Sequence, residues 1–573
     1  MEEQVFDFIV CGGGASGCVV AARLAECPGV SVLLIEAGPD SEGLEESRVA
    51  GGWMSLFGGP TDWNFESAPS AHVDQRRIPL SRGRLLGGST GLNGTLCIRG
   101  ARADYDAWGV PGWSGDEFFK YMMKSEHFHP KPWFDAELQG HGDRGPLHTE
   151  PRELAPISKL LLESFQSKGF AYDADMFTHG RTPHGCGHIT RTHWRGYRST
   201  SASFVTEARK NGRLTIVTRS LVDRVVLEPS RDGWRAVAVD VVEHDSSRRR
   251  FRASREVILS AGSYCSPSIL LRSGIGARAE LERLGIPCRV DLPGVGKNLL
   301  DHLIVFMFYE TAEEGLTTDH LIHRKDGYAD ALRQWRDSKS GFPASSPFGI
   351  GAYARLDERL SRHPLWSQAP REPGMDPMGL GDDQPHVEFF TTECFGGLKK
   401  FASLPEGKSV FGVVAELFAP RSSGTVTLRS PDPADLPLVD HNYLADPLDV
   451  LVLSEACSLA NEVVTDGSGT AALVKGSWPP ESLHHAYGSR EDWVRYVREN
   501  ATSAGFHAGG TCRMGLLDDP QVVVDEALRV RGIDNLRVVD CSIMPTLNGG
   551  HTQMPAYGIG EKAADLIKND MLP

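Results

Sequence analysis

A glycine-rich turn between an apolar segment and a helix-like segment is the sequence feature that most constrains this fold. Residues 5–11 read as a buried strand, small and apolar residues follow the turn, and residues 30–35 form a second apolar strand that ends at Glu36. Strand, G-x-G-x-x-G turn, helix, strand and acid in this order predict a βαβ unit that binds a dinucleotide. The residues expected to contact it are Gly12, Gly14, Ala15, Ser16, Gly17 and Glu36.

Each residue type in this motif has a physical role. Gly12 permits the tight turn, Gly14 admits the pyrophosphate, and Gly17 lets helix and strand pack closely. The helix N-terminus directs partial positive charge toward the phosphates. Glu36 is placed to accept hydrogen bonds from ribose hydroxyls, and its charge disfavours the 2′-phosphate of NADP. The motif by itself leaves both NAD and FAD open.

The bulk composition excludes several classes of protein. A chain of 573 residues is too long for one hydrophobic core and should form two or more lobes. Its 60 basic and 75 acidic residues give a net charge of −15, which disfavours nucleic acid and anionic membrane surfaces as partners. We expect no membrane span, because no run of about 18 apolar residues occurs. Scattered cysteines and an acidic N-terminus without a signal-peptide pattern favour a cytoplasmic location.

Two histidines near the C-terminus are candidate acid–base groups. His507 lies in a glycine-rich run at residues 505–515, and His551 lies in a second such run at residues 549–555. Imidazole exchanges a proton near neutral pH, and glycines let the backbone approach a flat cofactor. Either histidine alone is equally compatible with a surface or core position.

Further motifs follow in a fixed order along the chain. They are LGGSTGLNG at residues 86–94, SPSILLRSGIG at 266–276, GVGKNLLDH at 294–302, VDCSIMP at 539–545 and HTQ at 551–553. This ordered set, spread from residue 5 to about residue 568, resembles the glucose–methanol–choline (GMC) family of FAD-dependent oxidoreductases. The resemblance implies that the dinucleotide is FAD.

The resemblance also implies further contacts with FAD. Val222 matches a family residue whose backbone meets the adenine, although it is also compatible with a strand valine that has no ligand role. Asp540 matches an acid near the ribityl–phosphate region, although it could instead cap the following turn. Leu92 stands where some members attach FAD through a histidine, which implies non-covalent FAD. The full set of these additional contacts is Gly87, Ser89, Asn93, Gly94, Val222, Asp540, Thr552 and Gln553.

The predicted fold is α/β, with two lobes assembled from discontinuous segments. A Rossmann-like FAD-binding domain should comprise residues 1–130, 210–310 and 505–573. It should include a helix over 555–567 whose N-terminus faces the flavin and stabilises the anionic reduced ring. An α+β substrate-binding domain with an antiparallel sheet should comprise residues 131–209 and 311–504, where alternating segments such as 425–428 indicate strands. Five phenylalanines there either line an apolar cavity or belong to the core: Phe389, Phe390, Phe395, Phe401 and Phe411.

The resemblance implies an enzyme that oxidises an alcohol to the aldehyde by hydride transfer to flavin N5. His507 matches the general base, and His551 matches the group that hydrogen-bonds and orients the alcohol oxygen. The HTQ run followed by Pro555 and Tyr557 is similar to the aryl-alcohol oxidase branch, which favours a primary, aromatic or otherwise apolar alcohol. Oxygen or another acceptor would reoxidise the flavin. The alternative is a non-redox GMC lyase or cyclase with structural FAD, and the oligomeric state stays open.

Overall fold

The computed structural model describes residues 4–231, 233–396 and 404–572. Two large β-sheets organise this part of the chain. Their strands are β1 (Gln4–Cys11), β2 (Val32–Ile35), β3 (Gly185–His188), β4 (Leu214–Val217), β5 (Ser220–Ser230), β6 (Gly233–Glu243), β7 (Arg248–Leu259), β8 (Leu303–Thr311), β9 (Phe348–Ala354), β10 (Val387–Thr392), β11 (Val410–Leu417), β12 (Val474–Trp478), β13 (Thr502–Ser503), β14 (Ile533–Asp534) and β15 (Leu536–Val538).

The first sheet has a parallel, doubly wound part. Its strand order is β4-β2-β1-β7-β6-β5, with β15 paired to β7 and β14 paired to β6. Strands β4, β2, β1 and β7 run parallel, as does β15, whereas β5, β6 and β7 form an antiparallel meander. Strand β2 and residues 8–11 of β1 are apolar and buried because helices cover the sheet. The predicted α/β class is therefore confirmed.

The second sheet is antiparallel, as predicted for the other lobe. Its order is β12-β8-β11-β10-β9-β3, with the short β13 paired to β8. Strands β9, β10 and β11 are buried over their whole length. A further pair outside this sheet, Thr425–Thr427 with Leu438–Asp440, is also antiparallel.

Helices cover both sheets. The longer ones are α1 (Ala15–Ala25), α2 (Gly115–Ser125), α3 (Pro156–Ser167), α4 (Gly262–Arg272), α5 (Gly327–Ser338), α6 (Pro447–Asp466), α7 (Arg490–Asn500) and α8 (Gln553–Asp570). Helix α8 begins two residues before the predicted start, so Pro555 lies inside its first turn, where a missing N–H costs nothing. Within the described residues, no helix combines the length and the apolar character that a membrane crossing requires.

Each sheet has its own large hydrophobic core. One core joins β1, β2, α1 and α8, and the other joins the antiparallel sheet to α3 and α6. Strand β8 belongs to the second sheet although most of it precedes residue 310. The lobe boundaries at 130, 209, 310 and 504 stay a prediction. Near the boundary at 310, the chain enters the second sheet at Leu303, before the predicted boundary.

Candidate active site and cofactor cleft

A cavity of about 690 Å³ is lined by residues from both large sheets. This volume lies in the usual range for ligand and cofactor sites, about 300–1,000 Å³. The cavity opens at the carboxyl ends of β1 and β2, the edge where doubly wound sheets bind ligands. The predicted site residues that line it are Gly12, Gly14, Ala15, Ser16, Glu36, Ser89, Asn93, Gly94, Val222, His507, Asp540, His551, Thr552 and Gln553.

Two predicted glycines, Gly17 and Gly87, lie behind the cavity wall instead. A Cβ atom on Gly17 would lie 1.9 Å from the carbonyl oxygen of Gly12, so Gly17 permits the close packing expected of the third motif glycine. Gly87 has a φ of +102°, and its N–H donates to the carbonyl oxygen of Gly13 over 2.7 Å. Gly87 therefore fixes the second loop against the first and does not line the cavity.

The turn after β1 leaves little room for any side chain. Gly12 has a φ of +108°, and a Cβ atom there would lie 2.4 Å from the carbonyl oxygen of Ser260. Helix α1 starts directly after this turn, and its N-cap residue Gly14 offers no side chain to its first N–H groups. Those groups face the cavity, where an anion such as a pyrophosphate would satisfy them.

Glu36 is fixed at the end of β2 by backbone donors. Gly13 N–H donates to its Oε2 over 2.9 Å, and Gly38 N–H donates to its Oε1 over 2.7 Å. Burial raises the pKa of Glu36 to about 7, although these hydrogen bonds act to lower it. The remaining lone pairs of the carboxyl group can accept hydroxyl donors of a ribose.

The second glycine loop meets the N-terminus of α8. Asn93 Nδ2 donates to Gln553 Oε1, which brings two predicted flavin contacts together. Arg198 donates to Asn93 Oδ1 over 2.8 Å and holds the other side of the amide. Leu92 is fully buried in a small apolar cluster with Leu56 and Leu85 and does not line the cavity.

Asp540 lines the cavity and also caps a turn, so the capping role is observed and the cofactor contact stays a prediction that this position allows. Its Oδ1 accepts from the N–H of Ser542 over 2.8 Å, which is the capping bond. Its Oδ2 accepts from Gly262 N–H over 2.9 Å and from Ser266 Oγ over 2.6 Å. Val222, by contrast, contributes to the cavity wall from strand β5.

A second helix N-terminus faces the same cavity. Thr552 is the N-cap of α8, its side chain makes no capping hydrogen bond, and Thr552 and Gln553 both line the cavity. Ser16 Oγ donates to the carbonyl oxygen of Ala556 over 2.6 Å, which ties α1 to α8. Two uncapped N-termini, a Cβ-free turn and a buried acid at one end fit a dinucleotide with a negatively charged middle.

At the other end of the cavity, three histidines surround two glutamates. Glu416 Oε1 lies 2.9 Å from His507 Nδ1 and 3.0 Å from His302 Nδ1. His551 Nε2 lies 3.1 Å from Glu388 Oε2 and 3.8 Å from Glu416 Oε2. The rings of His507 and His551 are 4.6 Å apart between centroids. The structure therefore brings the two predicted catalytic histidines together on one wall of the cavity.

The two glutamates differ in charge. Burial and the neighbouring Glu416 hold the pKa of Glu388 well above its usual value, so Glu388 is protonated. Burial would also raise the pKa of Glu416, but His507, His302 and His551 lower it well below its usual value. One negative charge thus resides on Glu416 in a site that excludes most water.

Both histidines on the cavity wall are neutral near pH 7. Burial lowers the pKa of His507, and the charge of Glu416 only partly offsets this effect. Burial lowers the pKa of His551 to about 4, against a smaller opposing effect of Glu416. A neutral imidazole has one nitrogen that can accept a proton, which is what a general base requires.

Glu388, Glu416 and His302 were not identified as site residues in the sequence. A signal was present, because each glutamate interrupts an otherwise apolar strand, VEFFTT for β10 and VFGVVAEL for β11. His302 closes the GVGKNLLDH motif. A charged residue in a buried strand requires a partner, and here the partners are the histidines.

Of the five phenylalanines considered above, Phe390 lines the cavity. Phe389 and Phe411 belong to the core of the second sheet, Phe395 belongs to a smaller apolar cluster, and Phe401 lies outside the described residues. Other aromatic residues complete the apolar wall near the histidines: Phe306, Phe348 and Phe506.

Comparison with known proteins places this architecture among related chains. Two family models, both described as GMC oxidoreductase, match residues 6–304 and 420–560. Pyranose dehydrogenase 3 of Leucoagaricus meleagris is 32% identical over 98% of this chain and 92% of its own length. An oxygen-dependent choline dehydrogenase of Sinorhizobium medicae is 32% identical over 98% of this chain and 95% of its own length.

Solved structures agree with these relatives. Formate oxidase of Aspergillus oryzae superposes with a TM-score of 0.92 at 31% identity, and the match covers 100% of this chain and 99% of its own. That structure addresses the effect of a mutation on FAD modification in formate oxidase. A fungal aryl-alcohol oxidase superposes with a TM-score of 0.82 at 25% identity, covering all of both chains.

Proposed function

Because the chain belongs to the GMC oxidoreductase family, whose members are FAD-dependent enzymes acting on CH–OH groups, we propose that it oxidises a primary alcohol to the aldehyde with His507 as general base. The observation that carries this proposal is the contact of 2.9 Å between Glu416 Oε1 and His507 Nδ1 at the wall of the cofactor cleft. Bound FAD supplies the two-electron acceptor.

The carboxylate determines which nitrogen of His507 acts as base. A charged carboxylate only accepts hydrogen bonds, so the proton of His507 resides on Nδ1 and points at Glu416. The lone pair then resides on Nε2, on the far side of the ring. His507 lines the cavity, so a substrate hydroxyl there can donate its proton to Nε2. Glu416 then stabilises the imidazolium that forms.

His551 serves to orient the alcohol. Its Nε2 lies 3.1 Å from Glu388 Oε2, and the protonated Glu388 donates to it. The proton of His551 then resides on Nδ1, where it can donate to the alcohol oxygen. The ring centroids of His507 and His551, 4.6 Å apart, leave one substrate oxygen within reach of both histidines. The neutral His551 thus acts as a donor, and His507 takes the proton.

The substrate class follows from the wall next to the histidines. Phe306, Phe348 and Phe390 line this part of the cavity, together with Leu96 and Ile304. Such a surface favours an aromatic or otherwise apolar group beside the reacting carbon. We therefore propose a primary alcohol of this kind, with oxygen or another small acceptor as the oxidant that regenerates the cofactor.

Anaerobic mixing with a panel of alcohols tests the proposal. The panel should include aryl alcohols, an aliphatic primary alcohol, choline and a pyranose, and the readout is bleaching of the flavin band. We expect bleaching with aryl alcohols and a rate at least a hundredfold lower in His507→Ala, as expected for loss of a general base. Equal rates in the two proteins would refute the role of His507. The absence of bleaching across the panel would favour the alternative, a lyase or cyclase in which FAD is structural.

A further inference from the structure

Three histidines face one another at a place remote from the cofactor cleft. His127 belongs to the short strand Glu126–Phe128, and His148 belongs to the parallel strand Leu147–Thr149, where the two residues stand opposite each other. His129 follows two positions after His127, so its side chain projects on the same side of the backbone. None of these three described residues lines the cofactor cleft.

The three rings are close enough to share one ligand. One nitrogen from each lies within 4.8 Å of the other two, and His129 Nε2 is 2.9 Å from His148 Nδ1. Tetrahedral ligands at about 2.0–2.1 Å from a zinc ion lie about 3.4 Å from one another. The nitrogens of His129 and His148 are closer together than that separation, so a shared ion would replace their mutual hydrogen bond and turn the two rings slightly apart.

The indole of Trp194 holds two of the rings in position. It stacks on His129 with centroids 4.5 Å apart and an interplanar angle of 8°, and on His148 at 4.5 Å and 19°. All three histidines are half-buried, so an ion can reach them from solvent. Preoriented ligands with an open approach are what a metal site requires.

We propose that His127, His129 and His148 bind one divalent transition-metal ion of the zinc or copper class. Imidazole nitrogens suit Zn²⁺, Cu²⁺ and Ni²⁺, whereas Mg²⁺ and Ca²⁺ select oxygen ligands. Three protein ligands leave a fourth position for water on the exposed side. The order of divalent affinities ranks Cu²⁺ above Zn²⁺ for such a nitrogen set.

The ion would join segments that are distant in sequence. It would connect the strand Glu126–Phe128 to the strand Leu147–Thr149 and lie against Trp194 of the hairpin formed by His193–Trp194 and Tyr197–Arg198. Arg198 of that hairpin donates to Asn93 in the second glycine loop. Since the ion binds the folded chain, we expect the thermal unfolding midpoint to rise with the logarithm of the ion concentration once that concentration exceeds the Kd.

Titration of the flavin-loaded protein with Cu²⁺ and with Zn²⁺ tests this site. The protein is first treated with a chelator and dialysed, and binding is followed by calorimetry and by the nitrogen hyperfine structure of the Cu²⁺ EPR spectrum. We expect one ion per chain, coordinated by imidazole nitrogens, and an affinity at least tenfold weaker in His129→Gln and in His148→Gln. His244→Gln, a change at an exposed histidine outside the cluster, should bind as the unmodified protein does.

Flavin content and alcohol-dependent bleaching report whether the variants fold, and both should match the unmodified protein. This comparison also separates the cluster from the three other groups among the described residues that could hold an ion: His302, Glu416 and His507; Glu388, Glu416 and His551; and Asp357, Asp376 and His386. An ion at any of these places would bind equally well to both cluster variants, and an ion at the active site would also slow bleaching. That result, or no bound ion at all, would overturn the proposal.

Discussion

Glu388 and Glu416 stand directly opposite each other on adjacent antiparallel strands, and Glu388 lies 3.1 Å from His551 while Glu416 lies 2.9 Å from His507. Like charges in a buried pair repel, so the pair holds one proton, and that proton resides on Glu388. The two carboxyl groups therefore differ in charge and in the hydrogen bonds they can make. In the proposed mechanism, Glu416 orients the neutral His507 and stabilises the imidazolium that forms, whereas Glu388 donates to His551.

Replacing Glu416 by glutamine should slow flavin reduction by about 10²–10⁴-fold, because an amide can present its N–H to Nδ1 and stabilise the wrong tautomer of His507. Glu388→Gln is the matched control. Its amide resembles the protonated acid, so we expect a loss of less than about tenfold. The measurement is single-turnover flavin reduction under anaerobic conditions. Equal losses in the two variants would contradict the assignment of the charge.

The pH dependence of flavin reduction should reflect the lowered pKa of His507. The base acts only in its neutral form, and its pKa lies below the ordinary value of 6.5. The midpoint of the decline in the rate constant should therefore lie below pH 6.5. In Glu416→Gln the decline should move to still lower pH, because the carboxylate that favours the imidazolium is gone. A decline centred at or above pH 6.5 would contradict this account.

Gly12→Ala should yield protein that retains little flavin. The new Cβ would lie 2.4 Å from the carbonyl oxygen of Ser260 in a backbone conformation with φ of +108°, so the turn must shift where the dinucleotide binds. Gly29→Ala is the control, because Gly29 also has a positive φ, +75°, but no atom lies within 4 Å of its added Cβ. That variant should lose about 1–2 kcal/mol of stability and keep its flavin. The ratio of flavin to protein after gel filtration measures both. A full flavin complement in Gly12→Ala would contradict the proposal that the turn after β1 binds the dinucleotide.

Denaturation should release all of the flavin into solution. The position where some GMC members carry a covalent attachment is Leu92, a side chain without a nucleophile that packs against Leu56 and Leu85. Precipitating the protein with acid and measuring flavin absorbance in the supernatant and the pellet checks this expectation. Flavin fluorescence that stays with the denatured polypeptide would show another attachment point.

Most of the residues predicted from the sequence line one cavity in the structure, and they include both histidines. Local patterns determine a βαβ turn, so residues 5–36 could be interpreted without any tertiary information. Glu416 and Glu388 could not be assigned in this way. Their role depends on which strands pair and in which register, and hydrogen bonds between distant segments determine that pairing. For the same reason the sequence did not show that β8 belongs to the second sheet, because an apolar pattern does not indicate which strands pair.

The hydrogen bond from Ser16 to Ala556 joins positions 540 residues apart, and β15 pairs with β7, whose residues lie far earlier in the chain. In a chain that emerges from the ribosome, the turn at residues 12–17 appears early, and His507 and His551 appear near the end. Contacts over such separations also form slowly. We therefore expect the cofactor to bind only after synthesis of the chain is almost complete. A chain that ends before helix α8 would lack one wall of the cavity and expose apolar residues to chaperones and proteases.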